Sequence, residues 1–117
     1  MLKIAATQHP ITIPARDHEG YLLDPEEWSE ELIPVLANEQ ELELSDEHHQ
    51  IILFVREYYE QNATVPEARR VLQYMKRTWS KERATRKYLY QLFPYGFAQQ
   101  ACKIAGMRVP LKLVLDV

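Results

Sequence analysis

The 117-residue chain is long enough for one hydrophobic core and too short for two. Its 46% hydrophobic and 26% charged residues are those of an ordinary soluble globular protein, and no apolar run approaches the length of a membrane span. The single cysteine excludes an internal disulfide and any zinc or iron-sulfur site built from cysteines of this chain, and it suits a reducing compartment.

The first ten residues, MLKIAATQHP, carry one lysine and no long apolar segment, so they do not read as a signal peptide and the cytoplasm is expected. Residues 2 to 23 place β-branched Ile11, Thr12 and Ile13 before a D-H-E-G turn and Tyr21-Leu22-Leu23 after it, the pattern of a short β-hairpin. Asp24 is the expected cap of a helix with Pro25 at its first position, Glu26 and Glu27 in its first turn, and Trp28, Leu32 and Val35/Leu36 as its buried stripe. Pro34 should kink that helix or end it early.

Ser45 is placed to cap the central helix, which carries Ile51, Ile52, Val55, Tyr58 and Tyr59 on one stripe, with Leu53 and Phe54 making it apolar on most sides. Truncating Phe54 or Ile52 should therefore threaten the fold. His48 and His49 are adjacent and point about 100° apart on a helix, so they do not chelate a metal together and read as polar helix-start residues. Thr64 and Glu67 form a capping-box pattern around Pro66, ahead of a helix with Ala68, Val71, Leu72, Met75 and Trp79 on one face.

The other face of that helix is Arg69, Arg70, Gln73, Lys76 and Arg77, followed by Lys81, Arg83, Arg86 and Lys87 around a second helix from about Thr85 to Phe93. Two helices across a short turn, basic and interleaved with Tyr88 and Tyr90, have the outline of a helix-turn-helix, although the turn lacks glycine and no base-reading set stands out. A solvated amphipathic pair, or a face that docks a protein, has the same outline. The charge is asymmetric: residues 1 to 63 carry 14 acids and 3 bases, net −11, whereas residues 64 to 117 carry 3 acids and 11 bases, net +8. Either the two halves attract each other, or the basic half, with Lys103 included, favours an acidic protein face, a nucleic acid or another anion.

Pro94 and a Tyr-Gly corner should stop the preceding helix, and a short last helix should run to Gly106. Cys102 falls near its end, on the shoulder of the apolar stripe of Phe97, Ala101, Ile104 and Ala105, with Lys103 projecting away from it. A small packed hydrophobe is the plain account of such a residue, and nothing in the pattern activates it as a nucleophile. No Ser-His-Asp set, phosphate loop or spaced carboxylate pair is visible, so no catalytic machinery, metal or cofactor is expected.

The stretch YLYQLFPYG from Tyr88, followed by ACKIAGM from Ala101 and then Pro110, resembles the C-terminal signature of the DsrC/TusE family of sulfur-relay proteins, which includes the gamma-type partner of dissimilatory sulfite reductase. The resemblance continues upstream through Asp17, Gly20, Tyr21 and Leu22, Trp28-Ser29, Leu44 to His48, Val55 to Tyr59, and Pro66 with Arg69. It implies a mainly α, single-domain bundle of about five helices, with a β-hairpin region at 1–23, a helical body at 24–106 and a C-terminal arm at 107–117. It also implies partners of the sulfur-relay or sulfite-reductase type, serving tRNA thiolation or sulfite reduction.

In carriers of that family a second, next-to-last cysteine stands on a flexible arm, eleven residues after the position of Cys102, which acts as its resolving partner. Here that position is Leu113. The resemblance therefore implies an accessory or regulatory partner in sulfur trafficking rather than a full persulfide carrier. The alternatives are a DNA-binding regulator using the basic helix pair at 66–93 and a single-cysteine carrier working through Cys102. Val109, Leu111, Leu113, Val114, Leu115 and Val117 make the tail β-prone, so it should pack as a strand on the body, on the hairpin edge or on a second copy of the chain.

Overall fold

A computed structural model describes residues 12–108 of the chain. The first part of the expected hairpin and the expected docking of the tail lie outside these residues. Among the described residues the body is helical, with α1 at Leu32–Glu39, α2 at Asp46–Asn62, α3 at Ala68–Thr78, α4 at Arg86–Leu92 and α5 at Ala98–Cys102. The last of these is wound as a π-helix.

Helix α2 is the central element, with α3 and α5 packed on it. Ser45 caps it through a reciprocal pair in which Ser45 Oγ accepts from His48 N–H at 3.3 Å and His48 Nδ1 accepts from Ser45 N–H at 3.0 Å. An acceptor role for Nδ1 leaves the ring proton on Nε2, which donates to the Leu92 carbonyl at 2.7 Å and ties the start of α2 to the end of α4. Ile51, Ile52 and Val55 are fully buried. The expectation of a helix apolar on most sides is corrected: Leu53 is exposed, Phe54 is only half-buried and stacked on Tyr74 at 4.5 Å, and Arg56 is buried. At 100° per residue, Ile52, Val55, Arg56 and Tyr59 share one stripe, and Leu53 is rotated off it.

At the N-terminal side, an antiparallel bridge between Arg16 and Leu22 closes the Asp17–Gly20 turn, whose Asp17 carboxylate accepts from Glu19 N–H at 2.9 Å and Tyr21 N–H at 3.0 Å. Asp24 caps as expected, but it caps only a 3-10 turn, Pro25–Glu27. The single helix expected from Asp24 is split in two because a continuous one would bring the Pro34 ring against the carbonyl four residues back. With α1 starting at Leu32, Pro34 falls in the first turn, where its nitrogen has no intrahelical acceptor to miss, and no kink is needed.

The expected Thr64 cap is also corrected. The residue at the cap of α3 is Glu67, with no side-chain capping bond, because Pro66 disfavours helical geometry at Val65 and delays the start. Ala68, Val71 and Met75 are buried, Leu72 is half-buried, and Trp79 lies just past the helix, donating from its indole to Gln50. Thr85 caps α4 by accepting from Tyr88 N–H at 3.1 Å. Helix α3 packs on α2, α4 on α3, and α5 on α2. Leu89, Leu92, Phe93, Phe97, Ile104 and Met107 complete the core.

Candidate functional site

Cys102 has no exposed surface and lies inside the core cluster, not on its shoulder as the stripe pattern suggested. The reason is the π-helical winding of α5, whose wider turn rotates residues after Ala98 away from their α-helical positions. Burial pushes the thiol well above its ordinary pKa, since a thiolate there would be a charge without solvent. Tyr21, also buried, is close enough to feel it; burial first, and then Cys102, Glu19 and Asp17, push the phenol up to about 12. Lys103 reaches over Tyr21, with Nζ 4.8 Å from the centre of its ring and beside Gly20.

Helical winding continues past Cys102 through Lys103 and Ile104 into a turn at Ala105 and Gly106, and this far end of α5 is held from outside the helix. Trp28 donates from its indole nitrogen to the Ile104 carbonyl at 2.9 Å, and Arg56 donates to the Ala105 carbonyl at 3.3 Å and to the Pro25 carbonyl at 2.7 Å. The Arg56 guanidinium lies 4.7 Å from the Trp28 ring centre and 5.6 Å from that of Tyr59, and pairs with Glu60 at 3.0 Å. Residue-by-residue reading gave neither Arg56 nor Trp28 a role in the site. The available signal was a lone arginine on the apolar stripe of α2, four residues after Ile52 and four before a carboxylate.

The other predicted residues lie elsewhere. Arg69, Arg70, Lys76, Arg77, Lys81, Arg83, Arg86 and Lys87 are all exposed along the continuous unit of α3, turn and α4, whereas Lys103 stands apart over Tyr21. Three of the eight have protein partners: Arg69 pairs with Glu67 at 2.9 Å, Arg83 pairs with Glu47, and Arg70 lies 6.0 Å from the Tyr58 ring centre. Glu47 also accepts from the Tyr88 hydroxyl. Among the described ion pairs, Arg83 with Glu47 alone joins the basic half to the acidic half, since Arg69 and Glu67 both belong to the basic one. Lys76, Arg77, Lys81, Arg86 and Lys87 have no ion pair among the described residues. Among those same residues no group of three or more His, Cys, Asp or Glu side chains converges as a metal site, and no helix is long and apolar enough to cross a membrane.

Residues 12–114 match the family model described as "DsrC like protein". The chain belongs to the DsrC-like family. Among its relatives, sulfurtransferase TusE of Pectobacterium atrosepticum is 41% identical over 100 residues, covering 86% of this chain and 92% of the relative. TusE of Escherichia coli K12 is 41% identical over 98 residues, covering 84% and 90%. Among solved structures, the oxidised gamma-subunit of the dissimilatory sulfite reductase (DsrC) from Archaeoglobus fulgidus superposes with a TM-score of 0.77 at 33% identity, covering 89% of this chain and 92% of that one. Allochromatium vinosum DsrC gives 0.73 at 40% identity, covering 86% and 95%. The helical DsrC-like fold and the sulfur-relay family implied by the sequence motifs are therefore those of this chain.

Proposed function

We propose that this DsrC-like protein serves sulfur relay in the cytoplasm as a docking or regulatory partner, and that it does not itself carry a persulfide. One observation carries the reading: the chain's sole thiol, Cys102, is sealed in the core with its protonated form favoured. A sulfur carrier needs a thiolate that reaches a donor and an acceptor in turn. A single-cysteine carrier working through Cys102 is disfavoured on the same ground. The bases Lys76, Arg77, Lys81, Arg86 and Lys87 along α3, the turn and α4, which have no ion pair among the described residues, are proposed as the contact face, and the partner as a sulfur-transferring or sulfite-reducing protein with an acidic contact surface.

Co-purification from the source cells tests this with three baits. Wild type and Cys102→Ser should retain the same sulfur-transferring or sulfite-reducing partner, and the double variant Lys76→Glu/Arg77→Glu should lose it. Loss of the partner with Cys102→Ser would make the thiol part of the contact and overturn the reading.

A further inference from the structure

We infer that Trp28 and Arg56 form a latch on the C-terminal end of α5, and that opening this latch, not unfolding of the whole chain, is what exposes the Cys102 thiol. The inference does not depend on what the basic face binds. Its basis is where the bonds at the end of α5 come from. The last carbonyls of a helix have no partner within the helix and must find one elsewhere. Here the Ile104 carbonyl is taken by Trp28, 76 positions away in the chain, and the Ala105 carbonyl by Arg56, 49 positions away. By also holding the Pro25 carbonyl, Arg56 fastens the 3-10 turn, α2 and the end of α5 at one point.

Helix α5 is too short to persist on its own, so its place is set by what grips it. At its start the grip is apolar, through Phe97 and Ala101 in the core. At its end the grip is polar and, although Arg56 is buried, it borders two open clefts of about 450 and 440 Å³, both lined by Trp28, Arg56 and Glu60. Water entering those clefts competes for the Ile104 and Ala105 carbonyls, so the end of α5 is where local opening costs least. Cys102 lies two and three residues before those carbonyls. Freeing them uncovers the sulfur while α2, α3 and α4 stay packed.

Iodoacetamide reads this directly. The Cys102 sulfur displaces iodide, an S–C bond replaces the C–I bond, the thiol proton goes to solvent, and the product is counted by intact mass. When closing outpaces alkylation, the labelling rate reports the open population. Trp28→Phe keeps an aromatic ring and loses the donor; Arg56→Met keeps the stem and loses the guanidinium. Val71→Ala, a deletion in the core of α3, is the control for general destabilisation. The latch predicts that each latch variant labels about 10-fold to 100-fold faster than wild type, the range expected for losing one hydrogen bond to a buried polar group. It also predicts that Val71→Ala, at matched urea midpoint, labels far more slowly than either. Should Arg56→Met fail to fold, Trp28→Phe carries the comparison alone. Labelling that falls on one line against global stability for all variants would overturn the latch, as would fast wild-type labelling that neither substitution changes.

Discussion

The indole of Trp28 fills the space that Gly106 leaves by having no side chain: a Cβ built on Gly106 would overlap Trp28 Cδ1, Cγ and Cβ, the last at 2.7 Å. Gly106 also has a φ of +81°, in the left-handed region that other residues enter only at a cost. The tryptophan that holds the Ile104 carbonyl is thus seated against the first turn after α5, and both require the same glycine. Gly106→Ala should cost about 3 kcal/mol, combining overpacking with left-handed strain. Urea denaturation measures it, and a loss within the spread of ordinary surface substitutions would show that Trp28 moves aside freely.

The two neighbours Ile52 and Leu53 should differ sharply despite their similar chemistry. Ile52 is fully buried in the core, while Leu53 is 37% exposed. Ile52→Ala should cost about 2–5 kcal/mol and Leu53→Ala about 0.5 kcal/mol or less. Equal losses measured by thermal or urea unfolding would place Leu53 in the core and contradict the helix register.

Much of this was legible in the sequence because it rested on local chemistry. Asp24 and Ser45 cap where their side chains say they should, and the stripe of Ile51, Ile52 and Val55 marks the buried face of α2. The errors came where one local rule competed with another. Proline at 34 and at 66 set where helices begin, overriding the cap pattern that precedes each. Cys102 is the small packed hydrophobe its surroundings suggested, but its place on the stripe was misjudged because α-helical spacing was applied to a segment that winds as a π-helix, and nothing in AQQAC announces that winding. Arg56 escaped notice because its partners are the backbone carbonyls of Pro25 and Ala105, which no side-chain pattern displays. The family motifs pointed to the right fold by recording such contacts without explaining them.

Stability should decline in the alkaline range for a specific reason. Tyr21 is raised from 10.0 to about 12 in the folded chain, chiefly by burial, so the folded state keeps a proton that the unfolded state releases between those values. The contribution is fully present below pH 10 and is lost as pH rises through 10 to about 12. Cys102 acts in the same direction, starting from its ordinary value of 9.0. Urea midpoints taken against pH should fall across this window, and Tyr21→Phe should make the fall shallower. An identical slope in wild type and Tyr21→Phe would remove Tyr21 from the account.

The central claim is that this DsrC-like chain docks within sulfur relay without carrying sulfur, and intact-protein mass spectrometry after incubation with a persulfide donor tests it most directly. The folded protein should emerge with its mass unchanged, while the same protein unfolded in urea should gain sulfur at Cys102, showing that burial and not chemistry withholds the thiol. A stable sulfur adduct on Cys102 of the folded chain, transferable to an acceptor protein, would contradict the claim.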